Sequence, residues 1–555
     1  MGLVFLAAAA LGWGQMTPAQ RVADFEQLAA TVSKAYAPYE WKRDAFGVDA
    51  LRIGDWLERV SKSKDDLEFW EICSEYIASL RDLHSGFEVR SDFTAEIDIY
   101  VDLYDGKPLI EFIDRRQLPE AAYPFQVGDE LISVDGETPE EWIERVSRLQ
   151  SFANPSATRR WALDQIFYRV QQAFPRAHEI GATARVVVRR AATAQEESYD
   201  VPWRKTGTPL LAAGPVPSPA RSLMGRFAET RRGEASPLQT RRAPQFKRLR
   251  GFGRVAPLWT PPQGFAVRYG NSQSDPIYTG TYIAEGYRIG YLRIPSFPSG
   301  SSASAMLRAV ESELLFFRNN VDGLVVDVTR NPGGDVCLTN ELLRRLIYYP
   351  FRTIGDEYRP TLDVVLAFRA EYEDYREYGT DPVILAYLKA FYDDIDTAYK
   401  EYRGRTGPLP ACGYSLDLEP ARAASGSVTA FDKPMIVLID EFSTSSADAF
   451  PAVLQDAGRA LMVGRQTAGG GGLVNQFSTG TFGETRATLS MTLGVRAKSY
   501  QVPGLPAAPY LENIGALPDI ELDYQTRDNL MNGGKAYVDG FTAAIVDQIR
   551  RSTTP

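Results

Sequence analysis

Two segments of the sequence put hydroxyls and glycines where a strand gives way to a helix. The apolar run PMIVLID, residues 434–440, leads into Glu441-Phe442-Ser443-Thr444-Ser445-Ser446-Ala447-Asp448 and then a helical stretch ending near Ala457-Gly458-Arg459. At such a turn, backbone N–H groups and the positive helix end converge, which favours an oxyanion and suits a serine nucleophile. Serine and threonine also cap helices routinely, so this segment taken alone reads as a cap. The second run, DGLVVDV (322–328), ends in Thr329-Arg330-Asn331-Pro332-Gly333-Gly334-Asp335. Paired glycines there let backbone approach a ligand closely and offer it an N–H. By itself the segment is a loop. A base is scarce: the 555 residues include two histidines, His84 and His178. His84 lies in Asp82-Leu83-His84-Ser85-Gly86, whereas His178 sits in no motif and reads as structural. Three cysteines, Cys73, Cys337 and Cys412, show no CxxC spacing, which argues against a zinc cluster or disulfide scaffold. Pairing of Cys337 with Cys412 is left open, since it requires their Cα atoms within about 7 Å.

The elements that must hold these residues change character along the chain. Residues 18–92 read as helices, with Phe25, Leu28, Val32 and Tyr36 at helical spacing, then Leu51, Trp56, Leu57 and Val60, then Leu67, Trp70, Ile72, Tyr76 and Leu80. Gly86 reads as the stop of the third helix, and Phe87 and Val89 as a strand. Residues 95–205 alternate strand-like runs with turns. Within them Thr138, Pro139 and Glu141 predict a capped helix over PEEWIERVSRL. From Tyr278 the pattern is α/β, with strands at 287–294, 322–328 and 434–440 and helices at 303–318 and 338–349. The last two strands are continuous apolar runs, which predicts burial on both faces. Residues 355–405 form a Tyr-rich helical insertion, read as an amphipathic packing face that could also wall a substrate channel.

Composition sets outer limits. Apolar residues make up 44 % and charged residues 24 %, which excludes a disordered, collagen-like or multi-span membrane chain. A net charge of −10 argues against a general nucleic-acid binder. The stretch 206–262 is rich in Pro, Gly, Ala and Ser. From Arg204 to Arg254 it holds twelve Lys or Arg against Glu229 and Glu234. It reads first as a solvated connector and second as a protease-sensitive or inhibitory segment. Residues 3–13, LVFLAAAALGW, have the length of a signal-peptide core and are too short to span a bilayer, although no Lys or Arg precedes Arg21.

Resemblance to known families sharpens these readings. Gly128-Asp129-Glu130-Leu131-Ile132-Ser133-Val134-Asp135-Gly136 resembles the PDZ signature in which such a strand precedes a helix. The order of the two turns resembles the C-terminal-processing (tail-specific) serine protease family. Asp327-Val328-Thr329-Arg330-Asn331-Pro332-Gly333-Gly334 matches its glycine turn, and Ser445-Ser446-Ala447-Asp448 its serine turn. Gly464-Arg465-Gln466-Thr467-Ala468-Gly469-Gly470 matches a third feature, in which Ser–Lys members carry a lysine base; here Gly470 stands in that place. The resemblance therefore narrows to the tricorn-core / CPAF-like branch, whose base is a histidine in a turn like Asp82–Gly86. That branch ends in a segment like Tyr510–Ile520, which nominates Glu512.

The expected architecture is multi-domain α/β. A signal peptide (1–15) precedes a helical domain (16–93) carrying His84, a PDZ-like mainly-β domain (94–205) and the linker (206–262). The α/β catalytic domain (263–555) follows, with a buried mixed or parallel sheet of ClpP/crotonase-like core. The implied function is a secreted or periplasmic serine endopeptidase. Ser445 is the nucleophile, His84 the general base and Glu512 the acid that orients it. Ser446 and either Gly333 or Gly334 supply the oxyanion hole. No cofactor or metal is expected. The partners are protein or peptide substrates, with no nucleic acid and no integral membrane span, and the chain stands alone or as a homo-oligomer. The competing reading is a non-catalytic ligand or peptide carrier on the same fold, like the retinoid-binding proteins.

Overall fold

The computed structural model describes residues 15–211, 248–272 and 274–553. The expected signal core and most of the basic stretch lie outside the described residues.

The serine and glycine turns meet because their strands are neighbours. A seven-stranded sheet runs in the order Ala266–Tyr269, Tyr278–Ala284, Tyr287–Arg293, Gly323–Asp327, Met435–Ile439, Leu461–Gly464, Ile520–Glu521. The first two pairings are antiparallel and the other four parallel. Gly323–Asp327 and Met435–Ile439 pair directly, with Asp327 opposite Leu438. Both runs are buried at every position. Leu324, Val326, Val437 and Ile439 face a core shared with the helices Gly300–Asn320, Val336–Leu346 and Ser446–Asp456. Val325, Ile436 and Leu438 face the opposite layer, built on the helix Lys535–Thr553 through Phe541, Ile545 and Ile549. Cover on both faces explains the uninterrupted apolar pattern of these strands. In such sheets ligands gather at the carboxyl ends of the strands, where both turns emerge.

The helices Pro18–Ala35, Tyr39–Phe46, Gly54–Ser61 and Asp66–Ala78 close their own core around Phe25, Val32, Tyr36 and Tyr76. That core also takes Ala487 and Leu489 from the catalytic domain. The third of the expected helices ends at Ala78, and Gly86 opens a strand instead of closing that helix. This strand, Gly86–Glu88, pairs with Arg486–Ser490, which pairs in turn with Val474–Ser478. The pairing stitches the turn bearing His84 onto the catalytic domain.

The PDZ-like part is a five-stranded antiparallel sheet, Ile99–Tyr104, Lys107–Ile113, Glu130–Val134, Thr183–Arg189 and Glu196–Pro202. Its helix Pro139–Ser147 has the expected capping box between Thr138 and Glu141. A further helix, Pro155–Asp164, turns toward the catalytic domain. Just before and at the start of the basic stretch, the exposed Arg204–Thr206 pairs as a strand with Thr94–Glu96, and past its undescribed part the chain docks on the body. The buried Arg248 guanidinium donates to the carbonyls of Phe167, Ile97 and Ile99. Trp259 packs on Tyr537 and Phe541. Buried apolar and carbonyl surface outweighs composition here.

The insertion is a helical hairpin, Leu362–Tyr378 and Pro382–Lys400, with Tyr372 stacked on Tyr392. Of these two helices only Val365, Leu388, Ile395 and Ala398 are buried. A disulfide between Cys337 and Cys412, Cα atoms 5.3 Å apart, ties the chain beyond the hairpin to the helix that follows the glycine turn. Among the described residues no helix is long and apolar enough to cross a membrane.

Candidate active site

Ser445 sits at φ 57° and ψ −119°, a conformation an L-residue holds only when its surroundings enforce it. The enforcing group is Asp448. Its buried carboxylate accepts the Ser445 N–H at 2.9 Å, the Gly469 N–H at 2.8 Å and the Gly470 N–H at 3.1 Å. Burial pushes this carboxyl up to about 7, against the pull of those donors and of Thr467. Ser443 and Ser446 fasten the turn to its neighbour. Ser443 Oγ donates to the Val328 carbonyl and Ser446 Oγ to the Gly334 carbonyl, each at 2.8 Å.

The glycine turn abuts the serine. A Cβ on Gly333, at φ 81°, would lie 2.7 Å from Ser445 Cβ and 2.9 Å from Ser446 N, so only glycine fits. The Gly333 N–H already donates to Asn331 Oδ1 at 2.8 Å. The two oxyanion candidates at this turn are therefore unequal. Gly334 N–H has no acceptor among the described residues, whereas Gly333 N–H holds the turn in shape. Ser446 N–H, first in its helix, belongs to the amides that no intrahelical carbonyl can satisfy.

His84 follows a tight turn in which its own N–H donates to Asp82 Oδ1 at 2.7 Å, while Ser490 Oγ holds Asp82 Oδ2 at 2.9 Å. Burial lowers the imidazole pKa; the Asp82 carboxylate and the Gly471 backbone work the other way. No group among the described residues meets hydrogen-bond geometry at the buried Nδ1. His178 lies apart, with its Nδ1 3.0 Å from Gln171 Nε2 and its ring edge on Phe93.

Glu512 is fully buried, yet its carboxylate does not reach the imidazole. Oε1 lies 2.5 Å from Lys42 Nζ, and Oε2 accepts the Gly471 N–H at 3.4 Å. Burial, with Asp82 adding to it, pushes Glu512 up to about 8 against the attraction of Lys42. Glu512 is expected to orient His84 directly or through a relay, and between the two lies the loop 469–471. That loop gathers the site, touching Asp448 of the serine turn, Leu83 of the histidine turn and Glu512. Sequence reasoning missed Lys42 and the acceptor role of Asn331. The first is 470 residues from its partner. The second is a turn asparagine whose signal is its place two residues before a glycine. Among the described residues no group of three or more His, Cys, Asp or Glu side chains could hold a metal.

Residues 288–521 match the family model of peptidase family S41, and residues 96–209 that of a PDZ domain. The match to a serine peptidase family spans both the glycine and the serine turns. A curated Chlamydia trachomatis protein is 24 % identical to this chain over 96 % of it and 93 % of the relative. One from Chlamydia pneumoniae is 25 % identical over 99 % and 93 %. The crystal structure of mature CPAF superposes with a TM-score of 0.75 at 21 % identity, over 97 % of this chain and 99 % of that one. Mature CPAF complexed with lactacystin gives 0.74, over 96 % and 99 %. The chain thus shares with CPAF a fold that extends through the helical and PDZ-like parts.

Proposed function

We propose that the chain is a secreted serine endopeptidase. Ser445 Oγ attacks the scissile carbonyl, and His84 takes its proton and later delivers it to the leaving amine. The negative oxygen of the tetrahedral intermediate is met by the N–H groups of Ser446 and Gly334. Water then attacks the acyl-enzyme, with His84 again the base. Glu512 acts on this set from behind the loop 469–471.

The observation that carries the reading is the positive-φ Ser445, pressed against a glycine turn whose Gly334 N–H has no acceptor among the described residues. A simple helix cap needs neither the strained backbone nor the abutting glycine. A carrier on this fold has no use for a buried imidazole in the same cluster. Secretion is supported by the Cys337–Cys412 disulfide, which persists in oxidising compartments, and by the apolar run at residues 3–13.

The test is intact mass spectrometry of unfolded casein incubated with the parent chain and with Ser445→Ala. Casein fragments from the parent and none from the variant are expected. Equal fragments from both would remove Ser445 from the mechanism.

A further inference from the structure

Lys42 is 1 % exposed and Glu512 wholly buried. An ammonium buried that deeply costs several kcal/mol unless it is fully partnered. Lys42 is: its three N–H groups go to Glu512 Oε1 at 2.5 Å, Asn513 Oδ1 at 2.7 Å and the Arg81 carbonyl at 2.8 Å. Each partner lies next to something the hydrolysis uses. Arg81 is the residue before Asp82, at the head of the histidine turn. Asn513 donates its N–H to the Gly469 carbonyl at 2.7 Å and its side-chain amide to the Arg81 carbonyl at 3.1 Å. Glu512 accepts from Gly471, whose backbone lies against His84.

We propose that Lys42 is a positioning residue of the hydrolytic site. Its ammonium favours the ionised form of Glu512 and clamps the histidine turn to the loop 469–471. The inference rests on Ser445 and His84 being the reacting groups.

The charges facing this cluster make the ammonium necessary. Asp82 comes from the histidine turn and Glu512 from the segment after Tyr510. The buried Tyr36 hydroxyl comes from the end of the first helix, and Asp448 lies across the loop. All four are acidic groups, and Lys42 is the cation set directly among them. With neutral His84 and Glu512 ionised, the trio Asp82, Glu512 and Lys42 carries one net negative charge. When the imidazole takes the Ser445 proton, the cluster becomes neutral. Without Lys42 the ionised form of Glu512 faces Asp82 with no cation beside it, which disfavours that form further. Nothing then fixes Glu512 or Gly471 in place behind His84.

The readout is labelling of Ser445 by a fluorophosphonate probe, which displaces fluoride and leaves a phosphonyl–serine ester. Its rate is followed against pH for the parent, Lys42→Arg, Lys42→Met and Lys42→Met/Glu512→Gln. The parent rate is expected to climb with pH as Glu512 ionises. In Lys42→Met that climb moves up by about one pH unit or more, leaving labelling at neutral pH about tenfold slower. Lys42→Arg keeps the parent profile. The double variant replaces the ion pair by neutral groups of similar size, which restores folding if Lys42→Met is unstable. Its profile is expected to lose the climb altogether. A Lys42→Met profile merely scaled down, with its inflection unmoved, overturns the proposal, as does a double variant that keeps the parent inflection. Peptide mapping of the parent adduct separates the two readings: a label outside Ser445 overturns the peptidase assignment itself.

Discussion

At position 470 a Cβ would come 2.5 Å from Leu83 Cδ2 and 2.7 Å from Leu83 Cβ. The first neighbour is a flexible tip, but the second is fixed to the backbone of the histidine turn. Any side chain at 470 would therefore press on Leu83, and through it on the histidine turn. Gly470→Ala should accordingly push the histidine turn aside. We expect a stability loss of about 1–3 kcal/mol from overpacking. A misplacement on the order of 1 Å at His84 should lower kcat by roughly 100-fold, with KM less affected. Steady-state kinetics beside a urea melt would check this, and an unchanged kcat would mean that the loop yields instead. The glycine itself was legible as a departure from the lysine pattern. Its steric reason was not, because Leu83 lies in a separate domain.

At the scale of elements, the PDZ-like domain is wired into the serine turn by buried charge. Arg160, on the helix Pro155–Asp164, pairs with Asp102 of the strand Ile99–Tyr104 and with Glu441, four residues before Ser445. Arg330, on the glycine turn at φ 51°, reaches the same Asp102 and donates its N–H to Asp440 Oδ1. Removing one partner of such a network strands the others without water. Arg160→Met should cost about 3–5 kcal/mol and lower kcat through the displaced Glu441, measured by denaturant melts and by turnover of a fixed peptide. A variant that melts like the parent and turns over normally would show that the domains are only adjacent. The local elements were legible for local reasons: the Thr138–Pro139–Glu141 box starts its helix, and unbroken apolar runs mark strands covered on both faces. The docking of Arg248 at the described end of the basic stretch was not legible, because it depends on the carbonyls of Phe167, Ile97 and Ile99, which no local pattern announces.

Over the whole molecule, several buried carboxyls share one direction. Burial pushes Asp164 up to about 7, Asp448 to about 7 and Asp356 to about 6, from an ordinary value of 3.8. A carboxyl raised in the folded state binds its proton more tightly there than when unfolded. Its contribution to stability is full below pH ~4 and is lost as pH rises through its folded value. Thermal stability should therefore fall between about pH 5 and pH 8. Asp164 lies outside the hydrolytic cluster, among Arg248, Glu111, Asp102 and Arg330. Asp164→Asn should narrow the difference between the two pH values by about 1–4 kcal/mol. Calorimetry at both values gives the answer, and an undiminished difference would assign the slope to other groups.

The pairing of Lys42 with Glu512 spans 470 residues. A ribosome has to deliver both before the cluster behind His84 can close. On the proposed reading, a nascent chain that has not yet reached Glu512 lacks this clamp behind His84.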